Sequence, residues 1–290
     1  MPVFDYYMTR KSFRIFQLGD VHDGTVALAR KVLRKGIQII KDDRTSKAVF
    51  TGDAAECITV DDPRYEHNQH KKPLMTQQID SIVENFECIS KRFIAWLTGN
   101  HEITIRGDNV AWRICTELGV PYGAWTTVIN FRDPAGNIRW VGFWFHGPRR
   151  KSITSTAGDA KQQQSNKEAS LKKILAPLHN AHYQGCGHFH QLILRSPATP
   201  LYLGAEGKHL KKHYTSQPHS GYIHPDLRWY GCNGGFLRQF CMDEEYDNKS
   251  LETVEPITYA EVAGYAPTEM GMIQLNIENY MLKSCEIVPL

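Results

Sequence analysis

Three apolar runs in the first hundred residues each end in glycine followed by Asp or Asn, and this repetition leaves the chain few architectures. The runs are FRIFQLGD (13–20), KAVFTGD (47–53) and FIAWLTGNHE (93–102). Between them, TVALARKVLRKGIQIIKDD (25–43) and LMTQQIDSIVENFECISKR (74–92) carry apolar residues at helical spacing. The polar run 61–73, with two prolines, reads as a loop. Strands alternating with helices imply a parallel sheet with crossover connections. In such sheets ligands gather outside the carboxyl ends of the strands. Here those ends carry Asp20, Asp53 and Asn100.

The second half is richer in strands. WTTVINFRDPAGNIRWVGFWFHG (125–147) has two β-type runs around DPAGN, which predicts a hairpin. KEASLKKILAPL (167–178) reads as a helix and AHYQGCGHFH (181–190) as a strand and turn. QLILRS (191–196), RWYGCNGGFLRQF (228–240) and MIQLNIENYMLKSCEIVPL (272–290) read as further strands, and STAGDAKQQQSNK (155–167) as a mobile loop. There is no internal repeat. A length of 290 residues and an apolar fraction of 41% suit one α/β domain over 1–290, with 196–290 its less recognisable part.

Composition narrows the class. MPVFDYYMTRKSF has no apolar signal core, and no apolar run reaches membrane-spanning length. The expectation is a soluble cytoplasmic protein without membrane association. Seven cysteines, odd in number and irregular in spacing, argue for reduced thiols. A net charge of +3 does not oppose an anionic substrate.

The chain holds 13 histidines, and their placement carries the functional signal. GCGHFH (185–190) offers His188 and His190 beside Cys186. Alone it reads as a turn with two histidines. A zinc knuckle is disfavoured because no Cys-x-x-Cys occurs. The other strand ends change that reading: GDVHDG gives Asp20 and His22, GD gives Asp53, GNHE gives Asn100, His101 and Glu102, and FHG gives His146. Alternate residues of an extended segment point the same way, so Asp20 with His22, and His188 with His190, are expected to converge. Oxygen and nitrogen donors without thiolate suit Mn, Fe, Zn or Ni. The donors outnumber what one tetrahedral ion uses; two ions sharing a carboxylate would use them all.

In this order the blocks Asp-x-His, Gly-Asp, Gly-Asn-His-Glu, His and Gly-His-x-His resemble those of the calcineurin-like metallophosphoesterases, over residues 13 to about 195. The resemblance implies an α/β/β/α fold, a two-sheet β-sandwich flanked by helices. It implies two divalent ions, manganese first, with iron, zinc or nickel as alternatives. Asp20, His22, Asp53 and His190 would hold the first ion. Asp53, Asn100, His146 and His188 would hold the second, with one Asp53 oxygen facing each. His146 competes with His179 and His182, and is preferred because it follows an apolar strand and precedes glycine. His101 would be the catalytic general acid. Glu102 would either orient an imidazole or be a plain surface charge. The implied reaction is hydrolysis of a phosphomonoester or phosphodiester by a metal-bridged hydroxide.

The substrate is less legible. GDAAECI lacks the arginine of the Asp-Arg-Gly signature that protein phosphatases of this superfamily carry. A DNA or RNA nuclease is the first alternative, and a non-catalytic scaffold of the same fold the second. Arg149 and Arg150, just after His146, and Arg64, in the loop after the second strand, are candidate phosphate grips. GKHLKKHYTSQPHSGYIH (207–224) is basic, His-rich and aromatic, and suits a phosphate, nucleotide or nucleic-acid partner, or else is a solvated loop. DDPR, YGCNGGFL and GYAPTEMG look like phosphoesterases encoded by bacteriophages, which would act in the host cytoplasm. No protein partner is identifiable.

Overall fold

The three runs that end in Gly-Asp or Gly-Asn become strands covered on both faces, which is why they read as continuous apolar stretches rather than alternating ones. The computed structural model describes residues 1–290 except 68, 150, 200, 208, 215–220, 239–263 and 265–267. In chain order the elements are β1 (Val3–Tyr7), β2 (Phe13–Leu18), α1 (Arg30–Asp42), β3 (Lys47–Phe50), α2 (Met75–Phe86), β4 (Phe93–Trp96), α3 (Val110–Leu118), β5 (Thr126–Arg132) and β6 (Ile138–Phe145). There follow α4 (Ala160–Leu175), β7 (Tyr183–Cys186), β8 (Ile193–Arg195), β9 (Leu201–Glu206), β10 (His209–Tyr214), β11 (Trp229–Cys232), β12 (Gly271–Glu278) and β13 (Met281–Pro289).

This is a mixed α/β protein with two main sheets. A five-stranded sheet has the order β13-β12-β2-β3-β4, and a six-stranded sheet the order β1-β5-β6-β7-β11-β8. β2, β3 and β4 are parallel to one another, and so are β6, β7 and β11. Each sheet thus presents three parallel carboxyl ends. One buried cluster joins the sheets face to face: Ile15, Val49, Ile94 and Leu275 from one, and Ile129, Phe131, Trp140 and Trp144 from the other. Phe131 stacks on Trp140 at 3.7 Å between centroids. On the far side of the five-stranded sheet, Leu33, Ile37 and Ile40 of α1, Ile79 and Ile82 of α2 and Ile114 of α3 pack on Phe16, Leu18 and Phe50. Leu171 and Leu175 of α4 pack on Ile193 and Tyr230 of the other sheet. No helix among the described residues is long and apolar enough to cross a membrane.

Several elements differ from the sequence expectation. Residues 25–29 are not helical. Val26 donates its N–H to Gln69 O, Ala29 to Phe236 O, and Thr25 and Leu28 bridge to His70 and Leu237. Their apolar side chains are buried by that pinning, so the periodicity there was real burial in a non-helical segment. The expected loop 155–167 is half helix. Asp159 caps α4 by accepting from Lys161 N at 2.8 Å and Gln162 N at 3.3 Å. The first turns of α4 carry no apolar stripe, so only the cap could have marked them. β1 went unread because it is an edge strand with no buried residue. Within 207–224, β10 pairs with β9, and among the described residues the two form a separate two-stranded sheet.

Candidate metal centre

The loops leaving β2, β3, β4, β6, β7 and β11 meet at one place. Asp20 N donates to Gly52 O at 2.9 Å, His22 N to Asp53 O at 3.0 Å and Gly187 N to His146 O at 3.0 Å. The backbone there is not extended. Asp20 (φ 56°), His22 (53°), Asp53 (53°), His188 (73°) and His190 (51°) all lie in the left-handed region. They are five of the nine non-glycine residues that do so among the described residues. Such conformations cost about 1–3 kcal/mol each and cluster where surrounding structure holds side chains for a purpose. This corrects the pleat argument. Asp20 and His22 converge through left-handed kinks, and His188 and His190 diverge into different clusters.

Two donor clusters result. Asp20, His22 and His190 form one; Asp53, His146 and His188 form the other; and His22 and Asp53 group also with His101. His22 Nε2 is 3.3 Å from His190 Nε2, and His190 Nε2 is 3.5 Å from Asp20 Oδ1. Two nitrogens each about 2.0–2.1 Å from a tetrahedral ion stand about 3.4 Å apart. His146 Nε2 lies 3.2 Å from Asp53 Oδ2 and 2.9 Å from Asn100 Oδ1. The same Oδ2 is 3.8 Å from His22 Nε2. One oxygen of Asp53 therefore faces both clusters. Its other oxygen accepts the His101 N–H at 2.9 Å, rather than serving a second ion. Gly99 makes this approach possible, since a Cβ there would stand 2.1 Å from Asp53 Oδ1.

Outer contacts fix the tautomers. His146 Nδ1 donates to Thr51 O at 2.7 Å, which aims Nε2 at Asp53 and Asn100, with a proton in the cation and with its lone pair when neutral. His22 Nδ1 donates to Glu56 Oε2 at 2.9 Å. His101 Nδ1 donates to Glu56 O at 2.8 Å. Sequence reasoning missed Glu56; its only signal was a carboxylate three residues after Asp53. Glu102 is neither a surface charge nor an imidazole partner. It is buried and accepts backbone N–H groups from Asp53, Ala54, Ala55 and Gly99, tying the β3 and β4 loops together. Asn233 and Gln17, also unread, line the Asp20 side.

Charge explains what such a site seeks. Burial opposes ionisation of Asp53, yet the imidazoles of His146, His101 and His22 outweigh it and hold the carboxyl well below its usual range. Asp20 is lowered too, against burial, by His190 and then His146. Burial disfavours the His146 cation, but Asp53 and Asp20 raise it to about 9. His101 rises to about 9 against burial through Glu56 and Asp53. His188 falls to about 4, by burial and the neighbouring His146. Buried carboxylates that draw protons onto adjacent imidazoles are calling for positive charge, and nitrogen and oxygen donors at these spacings fit a divalent cation. The side chains of His101 and His190 are 22% exposed, whereas those of His22, Asp53 and His146 are 3% or less. Solvent therefore reaches the centre past His101 and His190.

The other candidates lie elsewhere. His179 stacks on Phe143, and His182 Nδ1 accepts from Val141 N, so neither joins a cluster. Cys186 is buried against Leu171, Ile193 and Cys232. Arg64 is exposed and held by Asp62 through Nε at 3.0 Å and Nη2 at 2.7 Å. Arg149 is exposed, three residues beyond His146, and Arg150 lies outside the described residues. No protein-family model matches this chain, and no curated protein matches it in sequence.

Proposed function

We propose that the chain hydrolyses phosphoester bonds with two divalent ions, in the manner its sequence blocks share with calcineurin-like metallophosphoesterases. One observation carries the reading: Asp53 Oδ2 stands between two histidine-bearing clusters, 3.8 Å from His22 Nε2 and 3.2 Å from His146 Nε2. Asp20, His22, Asp53 and His190 would hold one ion, and Asp53, Asn100, His146 and His188 the other. Their nitrogen and oxygen donors suit manganese, iron, zinc or nickel. Bound divalent ions supply Lewis acidity and a nucleophile at neutral pH. The chain's own residues supply the rest. Thr51 O and Glu56 orient His146 and His22. His101 stands at the exposed side of the centre. Its Nδ1 is committed to Glu56 O, and its Nε2 is left to hold a proton for a departing alkoxide. Two sheets packed face to face with helices outside agree with the α/β/β/α arrangement, with α4 the α-helix covering the six-stranded sheet among the described residues.

The test is to strip the protein of metal, reload it with Mn²⁺, Ni²⁺ or Zn²⁺, and assay p-nitrophenyl phosphate and bis-p-nitrophenyl phosphate. Metal-dependent turnover of either ester is expected, and the ratio of the two rates separates monoesterase from diesterase. Two bound ions without turnover of any phosphoester would leave the scaffold reading instead.

A further inference from the structure

The Asn233-Gly234-Gly235 turn after β11 lies beyond the five sequence blocks that supply the donors. We infer that Asn233, with Gln17 behind it, is a positioning residue that decides which oxygen Asp20 offers to a cation in the Asp20–His22–His190 cluster. The inference rests on the metal-centre reading above.

Trp144 carries an indole N–H, which can only donate. It donates to Gln17 Oε1 at 3.1 Å, and Tyr183 Oη donates to the same oxygen at 2.6 Å. That fixes the Gln17 amide, so Nε2 points the other way, to Cys186 O at 2.8 Å and Asn233 Oδ1 at 3.0 Å. Thr51 Oγ1 also donates to Asn233 Oδ1, at 2.9 Å. Asn233 is fixed in turn, and its Nδ2 donates to Asp20 Oδ2 at 3.1 Å and to Gly234 O at 3.1 Å. Gln17, Asn233 and Asp20 are all fully buried, so no water competes. His188 N–H shares both Asp20 oxygens at 2.9 and 3.0 Å. The Asn233 amide therefore occupies Oδ2 and leaves Oδ1 toward His190 Nε2.

The same turn braces His190. A Cβ on Gly234 would meet Glu269 O at 1.8 Å, so only glycine lets the segment before β12 pass. Glu269 N donates to His190 O at 3.1 Å, and its carboxylate accepts from Leu192 N at 2.7 Å. The wire runs from one sheet to the other, and the Asn233 amide it sets ends on Asp20, a donor of one cluster; the other cluster meets it through Thr51 and the His188 backbone N–H rather than through a donor side chain. Asp53, His146 and His188 side chains make no hydrogen bond to Asn233 or Gln17 among the described residues.

Mn²⁺ binding isotherms on the full chain test this. The phase belonging to each cluster is assigned with His190→Ala and His188→Ala. Asn233→Leu keeps the branched side-chain shape and removes the amide. It is expected to weaken the His190-dependent phase about 10–100-fold and leave the His188-dependent phase within about twofold. Trp144→Phe, which keeps an aromatic ring in the core but removes the N–H that sets the polarity, is expected to weaken the same phase by a smaller factor. It serves where Asn233→Leu does not fold. Two unchanged phases in folded variants, or equal weakening of both, would overturn the inference alone. A wild-type chain that takes up no Mn²⁺ would overturn the metal-centre reading and the inference with it.

Discussion

Glu56 offers the sharpest test of how the centre is tuned, because its side chain touches one cluster and spares the other. Its Oε2 accepts the His22 Nδ1 proton at 2.9 Å, at a side chain only 13% exposed. A hydrogen bond to a charged group contributes about 1.5–3 kcal/mol, and one between neutral groups about 0.5–1.5. Glu56→Gln keeps an acceptor and loses the charge, a difference of about 1–1.5 kcal/mol, or roughly tenfold in affinity. Glu56→Ala also leaves the buried His22 N–H without a partner, so its loss is about 2–3 kcal/mol, or roughly 30- to 150-fold. His101 Nδ1 hydrogen-bonds the Glu56 backbone carbonyl, so its position survives both changes, but loss of the carboxylate 3.8 Å away lets its raised pKa fall. Turnover at saturating metal, measured at a pH low enough to keep His101 protonated, is therefore expected to recover most of its wild-type value. Chelator-competition titrations with Mn²⁺, paired with turnover at saturation, measure both quantities. Affinities within twofold of wild type in Glu56→Ala would refute the argument, as would a turnover that stays low at saturation.

Asp53→Asn should abolish turnover and lower the affinity of both positions. The His101 N–H claims the one oxygen that remains, which turns the new NH₂ toward His22 and His146; elemental analysis showing two retained ions at full rate would sink the shared-ligand role. His101→Ala should retain both ions and slow turnover about 10²–10⁴-fold, most for poor leaving groups, measured across substituted phenyl esters; loss of metal would make it a ligand instead. Arg228 is buried and spends its N–H groups on Ile223 O, Ala176 O, His179 O and Asn180 Oδ1, none of them a carboxylate. Arg228→Met should cost about 3–5 kcal/mol and lower Tm by about 10 °C in thermal unfolding, and a shift under 2 °C would contradict it.

What could be read in the sequence was what burial and local chemistry write into short windows. β2, β3 and β4 were legible because a strand covered on both faces must be apolar throughout, and the hairpin of β5 and β6 because DPAGN has the residues a turn needs. The segment 25–29 misled for the same reason. Val26, Ala27 and Leu28 are buried, but their backbone groups pair with residues some 40 and 210 positions away, and no window along the chain contains those partners. α4 was half read because a helix resting on Leu171 and Leu175 alone carries too narrow a stripe to announce its first turns.

The centre divides along the same line. Its donors stand at strand ends, where glycine, Asp, Asn and His occur together for reasons visible in four or five residues. The groups that aim those donors obey no such local rule. Glu56, Thr51, Gln17 and Asn233 are ordinary polar residues until the fold brings a carbonyl to His146, a carboxylate to His22 and an amide to Asp20. Five ligand-bearing residues in the left-handed region cost several kcal/mol together, and local sequence gives no reason to bear that. What holds them is non-local. Glu102 gathers four backbone N–H groups from two loops, and Asn233 ties a strand end from the last hundred residues to Asp20 from the first twenty. The donors can therefore be listed from the first 195 residues, but the geometry that makes them a centre depends on residues beyond them.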